Sequence, residues 1–357
     1  MGISRKFNLI RSIVAIAIAL SLTFIIIFLV SEEPTVALKY FLLGPVMKFN
    51  RFANVIEMML PILFTGLAVS LIGRTGVINL ASEGAFFIGG SVAALFAIVL
   101  DLPGFLLPLV CIILGGIAGM LCMLIPTSIK LKFGSSEIVA SLMLNYVMFY
   151  FGSFLIRAFV RNPDSGKLQS LRFPAHALLT KIMPPTRIHS GLIIALAFVL
   201  ILWVYLYKSR WGYRMRMVGS NQGFSKYSGI DVAKSIVIGQ ALAGLVCGIG
   251  GASEMLGMYR AFTWNVQPGY GWDGIIVATL ARNNPALVPF GAFFLAYMRV
   301  GADIMTRMSD VQNEIVAIIQ GVVIVLLVAE SFLSGWEKRA IFREATAESE
   351  KGGCVEA

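Results

Sequence analysis

Charge is scarce in this chain. Asp, Glu, Lys and Arg together make up 13% of its 357 residues, about half the share usual in soluble globular domains, which excludes a soluble multidomain protein. Histidine is nearly absent, with only His176 and His189, and the four cysteines (Cys111, Cys122, Cys247 and Cys354) form no CxxC pair or Cys/His cluster. A metal site is therefore not expected. No GxxxxGK[ST] loop occurs: Gly248-Ile-Gly-Gly251 lacks the lysine and lies inside an apolar run. HExxH, paired carboxylates and a Ser/His/Asp arrangement are missing as well. The chain is thus read as having no catalytic residues and no cofactor of its own. The net charge of +10 does not point to nucleic acid, because basic residues collect in the inner loops of membrane proteins.

Long apolar runs fill the rest. Hydrophobic residues reach 58% and the mean hydropathy is +0.84. Runs of about 20 apolar residues can each cross a bilayer. Ten are found, at roughly 10–30, 54–72, 76–100, 105–126, 137–159, 189–207, 234–257, 270–282, 285–304 and 313–333. The expected fold is an all-α polytopic membrane protein with about ten transmembrane segments, some broken or short; the eighth is too short for an ordinary span. Residues 1–336 form one membrane domain and 337–357 a polar tail expected to be disordered. Arg5, Lys6 and Arg11 precede the first run, which is read as an uncleaved helix with its N-terminus in the cytoplasm. Ten spans return the C-terminus to the same side. The inner segments then hold 17 of the 29 Lys and Arg residues, and the outer ones, including the basic loop 160–188, hold 12. Residues 35–50 read either as an interfacial amphipathic helix or as a loose outer loop.

Two segments are broken by glycine and proline. One is Gly73-Arg-Thr-Gly-Val-Ile-Asn-Leu-Ala-Ser-Glu-Gly84; the other is Pro268-Gly-Tyr-Gly-Trp-Asp-Gly274, with Arg282-Asn-Asn-Pro285 beyond it. Broken segments in both halves of a chain point to a transport pathway, since irregular backbone at membrane depth survives only against protein or a water-filled cavity. Asn79, Glu83, Tyr270, Trp272 and Asp273 lie in these breaks. Amides and aromatics in one cavity suit a planar, hydrogen-bonding solute such as a nucleobase; equally, they support the broken backbone. Among the other intramembrane charges, Arg299 and Asp303 are spaced to pair on one helix face, while Glu137, Glu314 and Glu330 are expected near water at span ends. The glycines at 115, 116, 119, 239, 244, 248, 250 and 251 are read as close packing between helices. Between Lys208 and Lys234 runs the one long basic, polar stretch between apolar runs on the inner side, in which Ser220 or Asn221 can start a short helix and Gly229 can end it.

The runs Asn79-Leu-Ala-Ser-Glu-Gly84, Gly219-Ser-Asn-Gln-Gly-Phe-Ser-Lys-Tyr-Ser-Gly-Ile-Asp231, and Gly269-Tyr-Gly-Trp-Asp-Gly-Ile-Ile-Val-Ala through Arg282-Asn-Asn-Pro285 resemble permease subunits of bacterial ABC importers. The resemblance covers about residues 50–335 and is nearest the nucleoside and sugar branch that works with basic-membrane-protein-type lipoproteins. It implies a bacterial inner-membrane protein that pairs with a second permease. An ATPase would bind ATP, and an extracytoplasmic lipoprotein would deliver the solute. The resemblance also implies a coupling helix over 221–229 that seats on the ATPase, with Gly219, Asn221, Lys226, Tyr227, Gly229 and Asp231 as its residues. The chain departs from the commoner family pattern Gly-Ala-Glu-Gly-Gln at Ala81-Ser82-Glu83-Gly84-Ala85, and at Ala281, where glycine is usual.

The leading expectation is a permease moving a nucleoside. A ribose-type sugar or riboflavin permease is the alternative within the family. A proton-coupled secondary transporter using Glu83 or Asp273 is the alternative outside it, and a non-transporting scaffold fits the broken segments poorly.

Overall fold

The computed structural model describes residues 33–311 together with positions 28 and 321. But for those two positions, the expected first and tenth spans and the polar tail lie outside the described residues. The chain divides into two compact units, one made of residues 1–44 and 301–357, the other Pro45–Val300.

In the first unit, helix α1 is Pro34–Leu42, with proline in its first turn, where the missing N–H is no loss. Ala37, Leu38 and Phe41 are buried in protein. A Cβ at Gly44 would lie 2.9 Å from Ile304 in the same unit, so the exit of α1 has no room for a side chain. Of the two readings open for 35–50, the loose loop fails. The apolar side of this helix faces protein instead of lying free on a membrane surface.

The second unit contains α2 (Phe49–Arg74), α3 (Ser82–Val99), α4 (Leu106–Phe133), α5 (Glu137–Phe159), α6 (Gly191–Lys208), α7 (Arg210–Ser220), α8 (Gln222–Tyr227), α9 (Val232–Met258) and α10 (Tyr270–Leu280). Helix α11, Val288–Met308, begins in it. Seven helices (α2 to α6, α9 and α11) are long and apolar enough to cross a membrane, each covering an expected span. Helix α10 has 11 residues, so at ~1.5 Å per residue it covers only about half of a bilayer core, as its short apolar run foretold. Among the described residues there are two isolated β-bridges and no sheet.

The unit is arranged around α9, which packs most extensively on α4 and α3. The contact is close because glycines of α9 lie against the backbone of α3 and α4. A Cβ placed on Gly248 would strike the Gly115 carbonyl, and one on Gly251 the Phe86 carbonyl. Small residues let membrane helices close to backbone contact, so these glycines serve packing. Helices α2 and α3 are buried along most of their length, whereas α5 and α6 expose Met143, Tyr150, Phe154, Ile193 and Leu200. Peripheral helices with apolar outer faces fit a hydrocarbon surround.

Loop 160–188 is pinned by its backbone. Ser170 donates its N–H to the Phe262 carbonyl at 3.2 Å, Phe173 to Arg260 at 2.8 Å and Leu179 to Leu256 at 3.1 Å. At its end His189 is buried against Gly257, and burial pushes its pKa down to about 4, so the ring is neutral near pH 7.

Two expectations are corrected. Glu137 is not near water but buried, its carboxylate 3.2 Å from the Lys130 ammonium; the last turn of α4 covers it. Arg299 does not pair with Asp303. It reaches Asp273 at 2.5 Å, while Asp303 pairs with Arg307 one turn further along its own helix at 3.1 Å. A buried carboxylate on a neighbouring helix offers a guanidinium a stronger field than an exposed one four residues away. Glu314 and Glu330 lie outside the described residues.

Candidate functional site

The two broken segments meet. Helix α10 starts at Gly269, whose φ of +83° is a left-handed turn that suits a residue without Cβ. Its first N–H groups have no partner within the helix. Glu83, in the first turn of α3, supplies one: Oε1 accepts the Gly269 N–H at 2.7 Å and Oε2 the Gly271 N–H at 2.6 Å. A carboxylate at a helix N-terminus also opposes the positive end of the helix dipole. Gly271 is obligatory here, because a Cβ would sit 2.5 Å from the Glu83 Cα. Thr65 in α2 adds a third tie, donating its hydroxyl to the Tyr270 carbonyl at 2.8 Å.

The 73–84 break is stitched in the same manner. Asn79 accepts the Ala81 N–H at 3.0 Å and donates to Gln240 Oε1 at 3.1 Å and the Met123 carbonyl at 3.3 Å. Asn145 accepts the Gly84 N–H at 2.8 Å and donates to the Leu80 carbonyl at 2.9 Å. Gln267, just before the second break, donates to the Asn145 carbonyl at 3.0 Å. Asn79 and Glu83 are 1% exposed, so what they touch is backbone and protein amides.

The other three expected pathway residues differ. Asp273 holds Arg299 through one oxygen, while Oδ2 is buried and meets no donor among the described residues. The Tyr270 ring stands edge-on to Phe86 with centroids 5.5 Å apart, and Phe86 stacks on Trp264 at 5.7 Å. Trp272 is 42% exposed and available to a partner. Asp273 therefore keeps an acceptor oxygen, and Trp272 an exposed ring, that Asn79 and Glu83 do not.

The basic run folds into two helices. Ser209 accepts the Gly212 N–H at 3.0 Å and caps α7; Asn221 accepts the Phe224 N–H at 3.0 Å and caps α8. Gly229, with φ of +77°, turns the chain out of α8, and Asp231 accepts the Lys234 N–H at 2.9 Å to start α9. Lys226 is exposed and Tyr227 is 94% exposed. Gly219 lies in the last turn of α7 against Arg74 and Gly76, where a Cβ would strike the Arg74 carbonyl. Beside it Val218 packs with Val77 and Ile236, joined by Ile230 and Val232. The short helix α8 thus hangs from a clamp on the first broken segment.

Arg74 extends the clamp. Its Nε donates to the Asn283 carbonyl at 2.8 Å, and Nη2 lies 3.2 Å from both the Arg282 carbonyl and the Tyr207 hydroxyl. Arg282 and Asn283 have φ of +52° and +54°, a conformation costing non-glycine residues roughly 1–2 kcal/mol each. The Arg74 guanidinium fastens this strained turn directly after α10.

A family model for the branched-chain amino acid transport system permease component matches residues 51–328, nearly all of the second unit and beyond. The chain belongs to this permease family. Among curated relatives, the guanosine ABC transporter permease protein NupP of Bacillus subtilis is 34% identical over 284 residues, 78% of this chain and 80% of its own. The glucose ABC transporter permease protein TsgB13 of Haloferax volcanii is 30% identical, covering 76% and 74%. The nucleoside ABC transporter permease protein NupB of Lactococcus lactis is 25% identical, covering 84% of each chain. No solved structure matches significantly. The permease is a multi-pass membrane protein, and its family is a transporter subunit without catalysis of its own.

Sequence reasoning about this permease missed Arg74, Asn145, Gln240 and Gln267, which do the stitching. Arg74 carried a signal, being a lone cation in a glycine break, but was counted only toward membrane orientation. The three amides, inside or beside apolar runs, carried none that distinguishes them from surface polar residues.

Proposed function

We propose that this chain is the membrane subunit through which a bacterial ABC importer moves a nucleoside, with ATP bound and hydrolysed by a separate subunit. The similarity to the guanosine permease over four-fifths of that protein's length carries the reading. The geometry supports it, since α8 has the form of a docking element: a capped short helix, exposed at Lys226 and Tyr227, on a rigid stem. In this reading the α7–α8 end faces the cytoplasm with both termini, ten segments span the membrane, and loop 160–188 meets a solute-bearing lipoprotein outside. A second permease completes the pathway, and Asp273, Tyr270 and Trp272 face it.

Motion of α8 would reach the solute path through few contacts. Gly219 bears on the Arg74 carbonyl, and Arg74 holds the turn at 282–283 that ends α10. Because α10 carries Asp273, displacing α8 tilts the residues of the path. Such levers convert ATPase closure into alternating access.

Uptake of labelled guanosine by cells lacking this chain tests the substrate. Uptake should fall to background and return with the gene; unchanged guanosine uptake with lost glucose uptake would favour the sugar reading, which the 30% identity to a glucose permease keeps open. Loss of uptake on dissipating the membrane potential at constant ATP would instead indicate a proton-coupled carrier.

A further inference from the structure

Beside the short helix α8 lies an open cavity of about 670 Å³. Its wall carries Lys208, Arg210, Arg214 and Arg216, with the hydroxyls of Tyr207, Ser209, Tyr213 and Ser228, and no carboxylate. Four cations around one cavity repel each other unless an anion joins them. Two guanidiniums are already oriented. The Arg214 Cζ stands 5.4 Å from the Trp211 ring centroid and the Arg216 Cζ 5.0 Å from that of Tyr207. A guanidinium held by its face keeps its N–H edge for an oxyanion. The Arg216 Nε–H is buried yet meets no acceptor among the described residues, although buried donors are ordinarily satisfied.

We propose that this cavity binds the phosphate of an anionic phospholipid headgroup, wedged between the end of a span and the coupling element. Two observations favour a lipid over a carboxylate of the ATPase. First, the cavity opens at the last residues of α6, an apolar helix of spanning length. Its neighbours Trp203, Trp211 and Tyr213 are each at least 36% exposed, the aromatic and basic mixture found at headgroup depth. Second, α8 contributes Phe224 and the following Ser228, Gly229 and Ile230, but not Lys226 or the more exposed Tyr227. The docking face therefore stays free while the cavity is filled. A bound lipid would brace α8 against the membrane and make coupling depend on anionic lipid.

Native mass spectrometry of the importer released from vesicles of phosphatidylcholine with phosphatidylglycerol reads this directly. Wild type should retain phosphatidylglycerol in preference to phosphatidylcholine; Arg214→Gln with Arg216→Gln should retain roughly tenfold less, and Lys226→Gln, outside the cavity, as much as wild type. Equal retention by wild type and double variant overturns the proposal. So does release of the lipid by millimolar inorganic phosphate, which would make this a site for a soluble anion. Loss of the ATPase subunit from the double variant with lipid retained would assign the arginines to the partner and overturn it too. Should the double variant fail to assemble, wild type alone decides: ATP-driven uptake should rise with the phosphatidylglycerol fraction, and indifference sinks the idea. The lipid-retention readouts do not depend on which solute is carried.

Discussion

The short helices α10 and α8 face the same problem with opposite solutions. Each begins with N–H groups that no turn of its own can satisfy. At α10 the acceptor is Glu83, 186 and 188 residues away in sequence from the glycines it serves, and buried. At α8 it is Asn221, the adjoining residue, in contact with solvent. The first helix is defined only once α3 is in place; the second is defined by a few consecutive residues. In the mechanism proposed above, long-range ties hold the path at α10 and local ties leave α8 free to swing.

The sharpest way to break this contrast is Glu83→Ala. The buried Gly271 N–H would lose its acceptor at about 1–3 kcal/mol, and the half-buried Gly269 N–H would lose its own. Thermal unfolding of the purified protein should come many degrees lower and uptake should vanish; a wild-type Tm would show that water replaces the carboxylate and that α10 is not held from α3. Next is Gly219→Val, which forces branched carbons onto the Arg74 carbonyl. Uptake should fall at least tenfold while the protein still inserts, measured against membrane-fraction abundance. Normal uptake would remove the clamp from the coupling route. Gly229→Val places a β-branched residue at φ of +77° and should cost roughly 1–2 kcal/mol. Deleting 221–229 should uncouple ATP hydrolysis from uptake altogether, and a deletion that transports normally would refute docking by α8. Asn221→Ala should cost about 1 kcal/mol locally, seen as faster amide exchange in α8 with the rest of the protein unchanged. Smallest in stability is Tyr227→Ala, within about 0.5 kcal/mol of wild type as exposed substitutions are. Its effect should appear only in ATPase binding, so a marked drop in Tm would mean that Tyr227 is packed and not displayed.

What was legible in the sequence divides along the same line. Asn221, Gly229 and the helix between them were readable because cap and turn chemistry is carried by neighbouring residues. The amphipathic helix Arg210–Ser220 was not foreseen, since its apolar face (Gly212, Met215, Val218) hides in a stretch dominated by arginine. In the broken segments, Asn79 and Glu83 were recognised as special, but two readings stood level. Both residues are buried and bonded to backbone and amide groups of the broken segments. Arg299 was assigned to Asp303 because four-residue spacing is the pairing a sequence displays, whereas its partner Asp273 is 26 residues away.

The sequence alone determined that this chain is a bundle of membrane helices with two breaks, because apolar length and glycine or proline interruptions act locally and need no knowledge of neighbours. Only the tertiary structure decided which polar residue answers which broken backbone group. In an apolar surround a hydrogen-bond donor must find an acceptor wherever packing brings one, and the distance along the chain to that acceptor is unconstrained. Hence the capped helix α8 could be read from about ten residues, while the carboxylate at the start of α10 had to be found in another helix.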